Sequence, residues 1–192
     1  MSHKAWQNAH AMYENDACAK ALGIDIISMD EGFAVVTMTV TAQMLNGHQS
    51  CHGGQLFSLA DTAFAYACNS QGLAAVASAC TIDFLRPGFA GDTLTATAQV
   101  RHQGKQTGVY DIEIVNQQQK TVALFRGKSH RIGGTITGEA CCVKPLFVTE
   151  FVRQLVATAG HYQVFGLMIW LLSLCGNCWC ETRVSMRSVS MM

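Results

Sequence analysis

An excess of charge of either sign is missing from this chain. Thirteen Lys and Arg balance thirteen Asp and Glu, so there is no basic footprint of the kind that holds a nucleic-acid backbone. The first twenty residues are polar and charged and carry no apolar leader; the expected compartment is the cytoplasm. Cys18, Cys51, Cys68 and Cys80 have no paired spacing, which fits reduced thiols rather than a disulfide framework. Residues 1–140 hold no metal-ligand cluster. We expect no cofactor, no metal, no nucleic-acid partner and no membrane partner. The 192 residues suffice for one domain with a substantial core.

Charge is scarcest between Met44 and Asp83, where Asp61 is the only Asp, Glu, Lys or Arg. Residues 46–68 read as a polar loop, a His52-Gly53-Gly54 step, then an apolar helix. Leu56, Leu59, Ala60, Ala63, Phe64 and Ala67 fall at helical spacing and form one apolar stripe. A carboxylate in such a segment must be paired, shifted in pKa or functional. Gly53 and Gly54 stand where the helix begins. Their N–H groups have no intrahelical partner and carry the positive end of the helix dipole, a place to hold a developing oxyanion. Asp61 lies eight residues beyond Gly53, about 12 Å along the axis. A general base must sit within about 3 Å of its proton or one water away. If both residues act on one carbon, two chains must pair with their helices antiparallel. The expectation is a homodimer with composite sites.

The remaining elements follow from periodicity and turn residues. Residues 3–20 read as one helix, with Gly23 after its end. Strands are expected at 24–29 and 33–40, with a turn closed by Gly32. The central helix runs to about Ser70, with Gly72 as its C-cap. Four strands follow at 74–85, 92–102, 109–115 and 121–132, read as a meander. Alternation in the later strands means one buried face and one wet face. An antiparallel sheet wrapping one apolar helix is the α+β solution.

Over about residues 5–135 this pattern resembles the hot-dog fold thioesterases, and most closely those of phenylacetic acid degradation. The resemblance rests on the strand–strand–helix–four-strand order, on His52-Gly53-Gly54 opening the helix, on Leu59-Ala60-Asp61 within it, and on the Arg86-Pro87-Gly88…Gly91-Asp92 turn. It implies hydrolysis of an acyl-coenzyme A, with aryl-acetyl groups as the acyl class. It also implies homodimers that associate further as dimers of dimers. Gly53 matches the backbone donor to the thioester carbonyl. Asp61 matches the acid that activates water or attacks directly. Asn46 and His52 match the loop positions that hold thioester and water.

Each residue also has a plainer reading. Asp61 could be a surface acid, though on a helical wheel it lies between Phe57, Phe64 and Cys68. Gly53 and Gly54 could serve only a tight turn. His52 could be a capping histidine, and Asn46-Gly47 is first of all a turn signal. Arg86, Arg101, Lys105, Arg126, Lys128 and Arg131 are candidates for the coenzyme A phosphates, but each also reads as a solvated strand-face charge. Two other functions remain open on sequence alone: a hot-dog dehydratase acting on 3-hydroxyacyl thioesters, and a non-catalytic acyl-CoA binding module.

Composition changes after Ala140. Residues 1–140 carry a net charge of −2 and residues 141–192 carry +2, with no Asp in the latter. That tail holds five of nine Cys and two of three Trp. Its apolar run from Val164 to Cys175 falls short of the roughly 20 residues a membrane span needs. Cys175, Cys178 and Cys180, with His161, resemble an incomplete metal site. The reading preferred over a membrane anchor or a metal site is an extension translated past a stop or in another frame, outside the 1–140 domain.

Overall fold

The computed structural model describes residues 1–136, so the tail reading lies outside the described residues. Two helices open the chain, α1 (His3–Glu14) and α2 (Ala17–Ala21). The single helix expected over 3–20 is therefore broken. Asp16 is the reason: its Oδ1 accepts from Ala19 N–H at 2.8 Å and starts a new helix, as an aspartate at an N-cap does.

Six strands follow the expected order: β1 (Asp25–Asp30), β2 (Phe33–Thr39), β3 (Leu73–Phe84), β4 (Thr93–Gln103), β5 (Thr107–Asn116) and β6 (Thr121–Thr135). Between β2 and β3 runs the long helix α3 (Gly53–Asn69). Gly72, at φ +85°, lies two residues past the C-cap Ser70 rather than at it. All strands pair antiparallel in one sheet ordered β1-β2-β4-β5-β6-β3. The expected meander holds for β4, β5 and β6 only. β3 instead pairs with β6 at the far edge. The place beside β4 is taken by β2, through Ala34↔Ala98 and Val36↔Ala96.

The sheet wraps α3, as the hot-dog arrangement requires. Leu56, Leu59, Ala60, Ala63, Phe64 and Ala67 are buried, which is the stripe read from the sequence. Beneath them lie Ala34, Ala96 and Ala98, each fully buried. Short side chains on the middle strands let the helix axis come close, and the larger Met38, Leu94, Ile112 and Ile114 fill the flanks. Gly127 on β6 gives way to Phe64, because a Cβ there would stand 2.9 Å from the ring. Phe64 then packs edge-on against Tyr110, with centroids 5.4 Å apart. Truncating a buried leucine such as Leu59 in this contact costs about 2–5 kcal/mol. The helix, and anything on its first turn, is held by this packing.

The same burial leaves a second stripe on α3 that is not covered. Gly54, Ser58, Asp61, Thr62 and Ala65 recur at helical spacing and are exposed or half-buried. Asp61 is therefore on neither the core face nor a freely solvated one.

Candidate active site

The loop before α3 is built by its own side chains. Asn46 Oδ1 accepts from His48 N–H at 2.8 Å, from Ser50 N–H at 3.3 Å and from Ser50 Oγ–H at 3.2 Å. This closes the turn that Asn46-Gly47 predicts. Because Oδ1 is committed, the Nδ2 amide is the group Asn46 can offer elsewhere. The loop is pinned at its far end: Cys51 N–H donates to Gly88 O, and His52 N–H to Met44 O, both at 2.8 Å. Gly88 belongs to the Arg86-Pro87-Gly88 turn that leaves β3. The two turns are thereby locked together.

His52 is the N-cap of α3. Its backbone is extended, at φ −61° and ψ 134°. Its Nδ1 accepts from Gly54 N–H at 2.9 Å. The capping reading and the site reading are thus compatible. With Nδ1 accepting, Nε2 is the ring nitrogen left to donate. The bond also separates the two glycines. Gly54 N–H is used by the cap. Among the described residues Gly53 N–H donates to nothing, and it is the donor left at the positive end of the helix.

Gly53 opens on a cavity of about 350 Å³. Asn46, Cys51, Leu56, Phe84 and Arg86 form much of its wall. A side chain at Gly53 would intrude, because its Cβ would stand 3.0 Å from the Phe84 ring. Phe84 and Leu56 were not nominated from the sequence. The one available signal was position: Phe84 ends its strand just before Arg86-Pro87-Gly88.

Asp61 is absent from that wall. Among the described residues no hydrogen-bond donor or cation pairs with it. Burial pushes its carboxyl above the ordinary aspartate value, since removal from water disfavours the charged form. Two thiols share its surroundings. Cys68 is pushed up to about 12 and Cys80 is also raised, in both cases first by burial and then by the Asp61 charge. So Asn46, His52 and Gly53 come together in one chain, and Asp61 stands two helical turns away.

The cationic candidates separate in the same way. Arg126 grips Asp111 at 2.6 and 2.8 Å, and Arg101 joins at 2.9 Å. These bonds, Arg126 foremost, hold the Asp111 carboxyl below its usual value. All three residues line a different hollow with Thr81, Asp83 and Glu113. Arg131 donates to Lys105 O and to Gln71 Oε1. Of the six cations named from the sequence, Arg86 is the one that lines the Gly53 cavity. Its Nη1 donates to Thr121 O at 2.7 Å. No group of three His, Cys, Asp or Glu able to hold a metal occurs among the described residues. No described helix is long and apolar enough to cross a membrane.

Comparison with known proteins gives a consistent picture. Residues 48–123 match the thioesterase superfamily. A protein of Archaeoglobus fulgidus, provisionally named an esterase, is 40% identical over 121 residues, which cover 63% of this chain and 79% of that one. The 1,4-dihydroxy-2-naphthoyl-CoA hydrolase of Listeria monocytogenes is 32% identical over 115 residues, covering 56% and 89%. Among solved structures, a variant of phenylacetic acid degradation protein PaaI from Thermus thermophilus superposes with a TM-score of 0.59. It is 40% identical, and the match covers 61% of this chain and all of that one.

Proposed function

The chain belongs to the thioesterase superfamily, and from that premise we propose that it hydrolyses aryl-acetyl-coenzyme A to the free acid and coenzyme A. The observation that carries this reading is the unused Gly53 N–H at the start of α3, opening on a cavity walled by both apolar and polar side chains. The acyl class rests on the resemblance of the sequence to phenylacetic acid degradation thioesterases and on the likeness to PaaI and to an aromatic acyl-CoA hydrolase.

The chemistry then follows from the geometry. The thioester oxygen lies at Gly53 N–H, where the helix dipole favours the negative charge that develops on attack. Asn46 Nδ2, in the cavity wall, and His52 Nε2, on the residue before Gly53, are the donors assigned to orient thioester and water. Asp61, with its raised pKa, takes a proton from water as the water oxygen bonds to the carbonyl carbon. Collapse of the tetrahedral adduct expels the coenzyme A thiolate, which leaves readily and is then protonated. Direct attack by Asp61 would give a mixed anhydride that water opens to the same products. Water is the sole co-reactant in either route.

The separation of Gly53 and Asp61 calls for two copies. β3 supports this: it is a 12-residue edge strand with one side of its ladder unpaired among the described residues, and such an edge invites pairing. Val76 on it is 46% exposed, and Leu85 just past its end 50%. Antiparallel pairing of β3 with its copy extends the sheet. It also runs the two α3 helices in opposite senses, so that each helix start approaches the other's middle. The site is then Asn46, His52 and Gly53 of one protomer with Asp61 of its partner. Further pairing of dimers into tetramers is part of the same reading. Domain 1–140 carries it all.

The test is free-thiol release from phenylacetyl-CoA, with Asp61→Ala run alongside. Release that collapses in the variant supports the reading. An enoyl product from a 3-hydroxyacyl thioester, with the thiol retained, would replace it by a dehydratase.

A further inference from the structure

We infer that Phe84 is the specificity residue of this site: its ring is the wall that selects an aromatic acyl group over a straight chain. The inference rests on the thioesterase reading and deepens it. On β3, successive side chains alternate between the two faces. Cys80 and Ile82 pack toward the core beneath α3, whereas Thr81 and Asp83 line the hollow on the other face. Phe84 continues the inner row. Its ring reaches the first turn of α3, with Cζ 3.0 Å and both Cε atoms 3.4 Å from the position of a Gly53 Cβ.

The backbone fixes this placement. Phe84 pairs with Ala123 at the last rung of the β3–β6 ladder. Leu85 and Arg86 N–H both donate to Val122 O, at 2.9 and 3.1 Å. Phe84 is nevertheless 54% exposed, and part of its surface lines the cavity. A carbonyl seated on Gly53 N–H brings the neighbouring carbons against this ring. The surrounding wall carries Leu56, Cys51, Leu85 and Pro87 beside the polar Asn46, Ser50 and Arg86, so apolar surface for an acyl group and polar groups for the thioester share one cavity. At about 350 Å³ the cavity is at the small end of ligand sites. Two aromatic rings gain attraction beyond the area they bury.

The experiment compares phenylacetyl-CoA with octanoyl-CoA, whose acyl group has the same carbon count. It measures kcat/KM for wild type, Phe84→Leu and Phe84→Tyr. Phe84→Leu is expected to lower the phenylacetyl-to-octanoyl ratio by roughly two- to tenfold. Phe84→Tyr, which keeps the ring, should hold the ratio near wild type. Equal losses on both thioesters, with weaker inhibition by free coenzyme A, would place the ring along the coenzyme arm and overturn the inference. So would an unchanged ratio in Phe84→Leu. A wild-type enzyme that releases thiol from neither thioester refutes the hydrolase reading itself, and the inference with it.

Discussion

Gly53→Pro and Asp61→Ala, mixed in one tube, test the two-chain site directly. Gly53 is the first helical residue after the His52 N-cap, the position where proline is best tolerated. The missing N–H is one the helix does not use. His52 already has the extended backbone that a following proline demands. Gly53→Pro therefore deletes the oxyanion donor while leaving α3 able to start. The cost in packing is a small displacement of the exposed Phe84 ring. Loss of one such donor lowers turnover by about 10²–10³, and loss of a general base by about 10²–10⁴. Each variant alone is therefore nearly silent. On equal mixing and exchange, half the dimers are hybrids. In a hybrid one site inherits both lesions and the other inherits neither. Activity should return to about a quarter of wild type, as the symmetry of a twofold dimer dictates. The assay is thiol release after exchange, with differently tagged chains to prove that hybrids formed. Hybrids present without any recovery would refute the composite site.

Other outcomes follow from the same contacts. His52→Ala removes the acceptor for Gly54 N–H and should lower stability by about 1 kcal/mol, with turnover falling further; His52→Asn should recover the stability in thermal melts but not the turnover. Asp61→Asn should raise the melting temperature at neutral pH and leave it unchanged in acid. The folded pKa of Asp61 is raised, so ionisation opposes folding: the penalty is absent below the unfolded value and complete above the folded one. A melt difference independent of pH would contradict that cause. Asp111→Ala breaks the contacts to Arg126 and Arg101 on a largely exposed surface and should barely move the melting temperature, without altering kcat. Ending the chain at Ala140 should leave turnover unchanged, because β6 ends at Thr135; loss of activity in the shortened protein would give the tail a role.

Much of this architecture could be read from residue order, for identifiable reasons. Strand alternation and the stripe on α3 are local signals, and they placed the elements within a few residues. Strand neighbours are not local. Nothing within 73–84 says that β3 prefers β6 to β4; that choice is made by β2, which occupies β4's other edge. The break at Asn15 and Asp16 was visible as a capping aspartate, but apolar spacing across it suggested one helix. In the site, Asp61 stood out because its neighbourhood lacks charge. Asn46 and His52 were ambiguous because each does two things: Asn46 Oδ1 closes a turn and His52 Nδ1 caps a helix, while the remaining nitrogen of each is free. Phe84 was invisible because an aromatic lining a cavity has the same sequence signature as one in a core.

The small residues under α3 have a consequence for how such an enzyme can change. Phe64 leaves no room for a Cβ at Gly127, and Ala34, Ala96 and Ala98 are fully buried beneath the helix. A bulkier residue there would lift the helix and misalign its first turn. The start of α3, where we place the oxyanion donor, is thus shielded from drift by steric necessity. Phe84 and Leu85 are not packed beneath the helix; they stand at the rim of the sheet and are half-exposed in one protomer. If Phe84 sets the acyl class as proposed, a lineage built on this scaffold can retune which acid it releases through a few rim substitutions, while the packing that holds the start of α3 stays fixed.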